Sequence, residues 1–258
     1  MKKITYKAIN GDGTVYRKEK ELKYQLNYGI ADLLNGTVIN EYHLPIHHCN
    51  PTVYPDYIAL NTEKAKFHLT PATALGFYSY DRTFDNMNGL YNAIYYKNDR
   101  LLAKYKKLYE NIRFVIAPDY SIFDDIWMYE NESRLFKIRV IMLWFVKEIG
   151  AVVIPNAIYA SIDKLPQYLS GFEKCTVMCF STKGQVRYAR NRARVKETVK
   201  YVTDHFPIKV ILVYSACGKD ETSLKLFEYA ISCGIEVRIV DNTLRRRNQS
   251  RLKKVVVK

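Results

Sequence analysis

No apolar run in this chain is long enough to cross a bilayer. The longest, VIMLWFV from Val140 to Val146, sits between Arg139 and Lys147, far short of the roughly 20 residues a membrane helix needs. The start, MKKITYKAINGDG, opens with Lys2 and Lys3 but is polar where a signal peptide needs its apolar stretch, which argues against secretion. Cysteine is sparse: Cys49, Cys175, Cys179, Cys217 and Cys233 make an odd set with no CxxC pair, the pattern of free thiols in a reducing compartment. A soluble, cytoplasmic protein without a membrane partner is expected. Cys175 and Cys179, four apart on a predicted strand, would stand about 13 Å apart at roughly 3.3 Å per residue, too far to pair or to share zinc.

Acidic residues are absent after Asp241, whereas Arg245, Arg246, Arg247, Arg251, Lys253, Lys254 and Lys258 crowd the same stretch. Over the whole chain 40 basic residues face 26 acidic ones, a net charge of +14, and this balance points to a polyanionic partner. Residues 243–258 read as a basic tail, disordered when free, that neutralises phosphates and releases counterions. A tail that only keeps the protein soluble would have the same composition. Nucleophilic hydrolysis has no support, since neither a GxSxG nor a paired Cys and His signature occurs. His43, His47, His48 and Cys49 lie between Pro45 and Pro51 or beside them, in a loop context with no second ligand cluster, so a zinc site is not expected.

What is present is a rhythm. With 258 residues, 48% of them hydrophobic, the chain can bury a proper core. The runs RFVIAPD, AVVIP, TVMCFST, VILVYS and IEVRIVDN each end in a polar or turn residue, and amphipathic stretches separate them. DYIAL and ATALGFY precede them as two more strands. This is the pattern of an α/β fold of repeated strand–helix units with a mostly parallel sheet. The middle runs are almost wholly apolar, as strands covered on both faces should be, while IEVRIVDN alternates in the manner of an edge. An incomplete (β/α) barrel or an open doubly wound sheet follows, and a closed eight-stranded barrel does not. One long helix is expected from about Gly89 to Glu110 and another from just after Asp125 to Gly150. Residues 1–54 read as a small β-rich appendage, with a hairpin turn at Asn10 to Thr14; 55–242 read as the core domain.

In such folds ligands sit where strands end. Asp81, Asp119 and Asp241 each end a predicted strand, as catalytic carboxylates would if they converged, either holding magnesium or acting as acid and base. Turn and cap positions use aspartate as well. Two loops join a strand to a helix with small residues and a lysine: Ser181, Thr182, Lys183 and Gly184, then Ser215 through Gly218 and Lys219. They are candidates for phosphate binding, although tight turns use the same residues. Asn61, Asn156 and Tyr214 would line the cleft. Lys183, Arg187, Arg190 and Arg194 recur at helical spacing as one basic stripe, with Val195, Val199, Val202 and Phe206 facing the sheet.

The runs APDYSIFDDIW, VVIPN, CFSTKG and VILVYSACGKD, with Pro118, Asp119, Pro155, Asn156, Ser181, Thr182 and Gly184, resemble an uncharacterised family of bacterial and phage proteins, domain of unknown function number forty-four seventeen. The resemblance spans about Pro55 to Asn242. Where the family pattern leads one to expect a glycine soon after the penultimate strand, this chain has Ser215, Ala216 and Cys217 before Gly218. The resemblance brings no activity and implies a phage or mobile-element setting. Two functions stay open. One is a nucleic-acid-associated protein that grips DNA or RNA backbones through Arg187, Arg190, Arg194 and the basic tail. The other is an enzyme on a phosphorylated small molecule or nucleotide, using the two loops for phosphate and the aspartates for chemistry.

Overall fold

The computed structural model describes residues 2–3 and 28–256; the hairpin turn expected at Asn10 to Thr14 lies outside them. The strands in chain order are β1 (Lys2–Lys3), β2 (Val38–Ile39), β3 (His48–Cys49), β4 (Tyr57–Leu60), β5 (Thr73–Gly76), β6 (Phe114–Ile116), β7 (Val152–Ile154), β8 (Lys174–Cys175), β9 (Val177–Ser181), β10 (Val210–Tyr214) and β11 (Glu236–Val240). Each of the seven apolar runs in the sequence has become one of β4, β5, β6, β7, β9, β10 or β11.

These seven form two parallel sheets, β4-β5-β6-β7 and β9-β10-β11. The sheets meet at both ends. At one seam Cys179 donates to the Pro155 carbonyl and Ala157 donates to the Cys179 carbonyl, each at 2.8 Å. At the other, Ile58 donates to the Asp241 carbonyl at 2.9 Å and Asp241 donates to the Asp56 carbonyl at 3.2 Å. The strands therefore run round a ring whose two seams are each a single bridge, which is the incomplete barrel rather than the doubly wound alternative. Alternation in β11 has the expected cause: Glu236 and Arg238 are exposed and pair with each other, while Val240 is buried. β9 and β10 are buried along their whole length, as strands with helices outside and a packed ring inside must be.

At the opposite end from the strand termini, β3 pairs with β8 in parallel and places Cys49 in register with Cys175. Both thiols are buried, and burial pushes Cys49 well up and Cys175 up to about 12. His47 beside them holds the Val153 carbonyl at 2.6 Å, and burial lowers the ring to about 4, so this histidine ties the first segment to the ring. β1 pairs antiparallel with β2. The helix Tyr28–Leu34 ends before Gly36, whose φ of 72° suits the left-handed turn.

Three helices differ from expectation. The single helix foreseen over 89–110 is two, Leu90–Tyr95 and Asp99–Leu108, because Lys97 sits at φ 48° and the Asn98 side chain caps the second by accepting from Leu101 N. The basic helix starts only at Ala189, after Gly184 at φ 78° has turned the chain. Lys183 and Arg187 therefore precede it, and the expected four-residue stripe is reduced to Arg190 and Arg194 on the helix. Its inner face is as foreseen, with Val195, Val199 and Val202 fully buried. The helix Met128–Trp144 continues through a π-turn, Phe145–Ile149, to Gly150.

The third difference is the C-terminus. Instead of a disordered tail, residues Thr243–Val256 form a helix. Asn242, fully buried, is its cap: the side-chain carbonyl accepts from Arg245 N at 2.9 Å, and the amide donates to the Ser215 carbonyl at 3.1 Å. Thr243 is joined to Tyr57, Lys66 and Glu63. Asn242→Ala is expected to cost about 1–3 kcal/mol, the loss of a cap plus an unpaired buried carbonyl. Denaturant unfolding should show a lower midpoint at unchanged slope.

Candidate functional site

Every ring strand points its C-terminal end to the same mouth, and the residues just past those ends build a polar network. After β5 the side chains alternate: Phe77 turns outward and Tyr78 lies in the ring, stacked on Tyr214 at 4.4 Å. The Tyr78 hydroxyl donates to Asn156 Oδ1 at 2.7 Å and lies 3.0 Å from Cys179 Sγ. Asn156 passes the chain on, its amide donating to Asp119 Oδ1 at 2.9 Å. Tyr159 donates to the Ser181 carbonyl at 2.8 Å, and Lys183 donates to the Tyr78 carbonyl at 2.6 Å.

Asp119 is the chemically distinctive member. Burial pushes its carboxyl up to about 7; the Asn156 amide opposes that rise, the Asp81 charge adds to it and the Lys183 charge opposes it. Lys183 is in turn lowered by burial and supported by Asp119. A carboxyl that exchanges its proton near neutrality, beside a lysine, is suited to general acid–base work. The phenols of Tyr78 and Tyr159 are raised well above their ordinary value, first by burial, so they act as neutral donors.

The sequence candidates separate clearly. Asp81 and Asp119 share the mouth: Asp81 accepts from Ser121 N and Oγ. Asp241 does not join them, since its carboxylate is held by Arg245 and Arg246. Among the described residues no group of three or more His, Cys, Asp or Glu could hold a metal ion, so the three aspartates do not make the magnesium cage considered for them. The two phosphate-loop candidates turn their polar groups inward. Thr182, fully buried, accepts from Ala216 N, and Ser215, also fully buried, accepts from Cys217 N and meets Ser223 Oγ. Ser181 accepts from Lys183 N. Gly218 is pressed against the C-terminal helix, and a Cβ there would stand 2.5 Å from Leu252 Cδ1 and 3.0 Å from the Asn248 carbonyl. Lys219 precedes a short helix that begins with Asp220, which pairs with Arg245 at 2.7 Å. Asn61 accepts from Ser79 Oγ at the edge of the mouth.

Around the network the mouth loops carry exposed aromatics beside cations. Tyr80 (74% exposed) has both Arg82 and Lys183 5.7 Å from its ring centre, Tyr188 (52%) has Arg187 at 5.3 Å, and Phe123 has Arg134 at 5.4 Å, with Trp127 (82%) nearby in sequence. The loops are tied to one another: Asp81 to Ser121, Arg134 to the Ser121 carbonyl, and Asp124 to Arg194 at 2.5 Å. Composition alone did not single these aromatics out, because 22 tyrosines gave no way to tell core rings from exposed ones. From the far side, Arg247 lies close enough to Tyr214 for its charge to oppose the burial that raises that phenol. Arg247, Arg251 and Lys253 are exposed and make no ion pair with any described residue.

Among the described residues no helix is long and apolar enough to cross a membrane. No curated protein and no solved structure matches the chain. The family resemblance read from the sequence holds: a family model matches residues 38–230, from β2 to just before the last ring strand, and the chain belongs to the family described as a domain of unknown function, DUF4417.

Proposed function

We propose that the protein is nucleic-acid-associated, holding phosphate backbones with Arg187, Arg190 and the free cations of the C-terminal helix while bases stack on Tyr80, Tyr188 and Trp127. The observation that carries this reading is the pairing of exposed aromatics with cations on the tied loops around the mouth. Base stacking on such rings tolerates any sequence, and the surrounding positive charge attracts the backbone. Single strands are favoured, because unpaired bases have free faces. The phage or mobile-element setting implied by the family resemblance belongs to this proposal.

A second reading has its own support in Asp119, a carboxyl raised by burial and held by Asn156 with the Lys183 charge within reach: an enzyme acting on a phosphorylated small molecule or a nucleotide, with Asp119 as acid and base. In a combined form a terminal or flipped nucleotide enters the mouth and meets Asp119.

The test is binding of labelled single-stranded and duplex DNA and RNA over a salt series. Single strands are expected to bind more tightly than duplexes, with affinity falling steeply as salt rises. Tyr80→Ala and Tyr188→Ala should each weaken single-strand binding by about 1–3 kcal/mol. Absence of binding at low salt would overturn the proposal and favour the small-molecule reading.

A further inference from the structure

Beside the mouth, outside the ring, a cavity of about 420 Å³ opens between the ends of β4 and β5 and the helices Leu90–Tyr95 and Asp99–Leu108. Its volume falls in the range of small-ligand pockets. The floor is aromatic, with Phe77 and Phe84 edge to face at 5.4 Å and Tyr105 stacked on Tyr109 at 5.9 Å. Two lysines, Lys64 and Lys104, stand at its edge, and no carboxylate lines it. Both lysines are exposed, and neither has an ion pair with a described residue.

The rim is constructed rather than accidental. Asn86 organises it by accepting from Asn88 N at 3.0 Å through its side chain and from Asn92 Nδ2 at 2.8 Å through its carbonyl. The Tyr105 hydroxyl donates to the Asn88 carbonyl at 2.6 Å, locking the loop to the helix that carries Lys104. The Asn88 side chain makes no hydrogen bond to a described residue. Asn61 has its carbonyl engaged by Ser79 Oγ, while its amide donates to no described residue.

We infer that this cavity binds a nucleoside monophosphate, its planar base against the aromatic floor, its polar edge read by the amides of Asn61 and Asn88, and its phosphate between Lys64 and Lys104. Two unpaired cations without a compensating carboxylate select an anion. A polar-walled pocket with a ring floor selects a flat body that carries hydrogen-bonding groups. Neither inorganic phosphate nor a nucleoside alone satisfies both halves of the site. The site is separate from the Asp119 network and does not depend on nucleic-acid binding at the mouth.

Isothermal calorimetry on the full chain, with AMP, GMP, CMP and UMP against adenosine and inorganic phosphate, tests the assignment. At least one monophosphate is expected to bind tenfold or more tightly than phosphate or adenosine. The double variant Lys64→Gln, Lys104→Gln should lose at least tenfold of that affinity, and because both side chains are exposed its far-UV circular dichroism and melting temperature should match the parent. Asn88→Asp, which puts a carboxylate on the rim, should also lose at least tenfold. The assignment is overturned if no monophosphate binds more tightly than phosphate alone, or if these variants bind as the parent does.

Discussion

Replacing Arg247, Arg251 and Lys253 together with glutamine should lower affinity for duplex nucleic acid by roughly 10²–10³-fold at 0.1 M salt and flatten the salt dependence by about 2.7 in slope, if each cation meets one phosphate. The three are exposed on one terminal helix and have no ion pair with a described residue, so their removal takes charge without leaving a carboxylate unpaired. Arg245 gives the contrast. It holds Asp220 through two nitrogens at 2.7 and 3.0 Å and reaches Asp241 at 3.5 Å, with only 17% of its side chain exposed. Arg245→Gln should therefore lower the unfolding midpoint and leave the salt slope nearly unchanged. Deleting the helix would confuse the two effects, because it also uncovers Gly218 and removes the partner of Tyr57 and Glu63. Salt titrations of the triple variant and of Arg245→Gln, each alongside a denaturation curve, separate them. A slope that the triple variant leaves unchanged would remove the C-terminal helix from any nucleic-acid interface.

The strands were legible because burial on both faces leaves little but Val, Ile, Leu and Phe, and β9 and β10 carry that composition from end to end. The alternation of Glu236 and Arg238 with Val237 and Ile239 likewise announced one poorly covered strand. Ring closure was not legible, since each seam depends on the backbone of a single bridge, at Asn156–Cys179 and Tyr57–Asp241, and backbone pairing leaves no mark in side-chain periodicity. The break at Lys97 is not legible for a related reason: no glycine or proline occurs there, and the turn depends on one left-handed lysine followed by an asparagine cap. The terminal helix was hidden by its own charge. Its composition is that of a disordered tail; the Asn242 cap is a local start signal, but the helix is also held by distant partners, Asp220, Glu63 and the Ser215 carbonyl that fixes Asn242, which local sequence does not show. At the site, the strand-end rule pointed to Asp119, Asn156 and Lys183, which the structure places past the ends of β6, β7 and β9. It could not show that Tyr78 joins Asn156 or that Asp241 is held by arginines, because both depend on which strands are neighbours.

Asp119→Asn should make the protein more stable above neutral pH, by about 2–4 kcal/mol once the partial exposure of the carboxyl is allowed for. The sign follows from the proton count. Burial raises the carboxyl from 3.8 to about 7, so between those values the folded state holds a proton that the unfolded state has released. Stability then falls as pH rises through that window, and the whole penalty is present above it. Asparagine cannot ionise, yet its side-chain carbonyl can still accept from Asn156, so the network keeps its bond and loses the cost of a buried charge. The difference in melting temperature between variant and parent should be near zero at pH 4 and grow to roughly 5–10 °C by pH 8. Parallel curves for the two proteins from pH 4 to 8 would show that Asp119 titrates as an ordinary carboxyl. A buried carboxyl that keeps its proton to near neutrality has the property a general acid–base group needs. The same variant therefore separates the two functional readings: it should bind nucleic acid at least as well as the parent, having lost a negative charge, and it should lose turnover if Asp119 is the acid and base of a reaction.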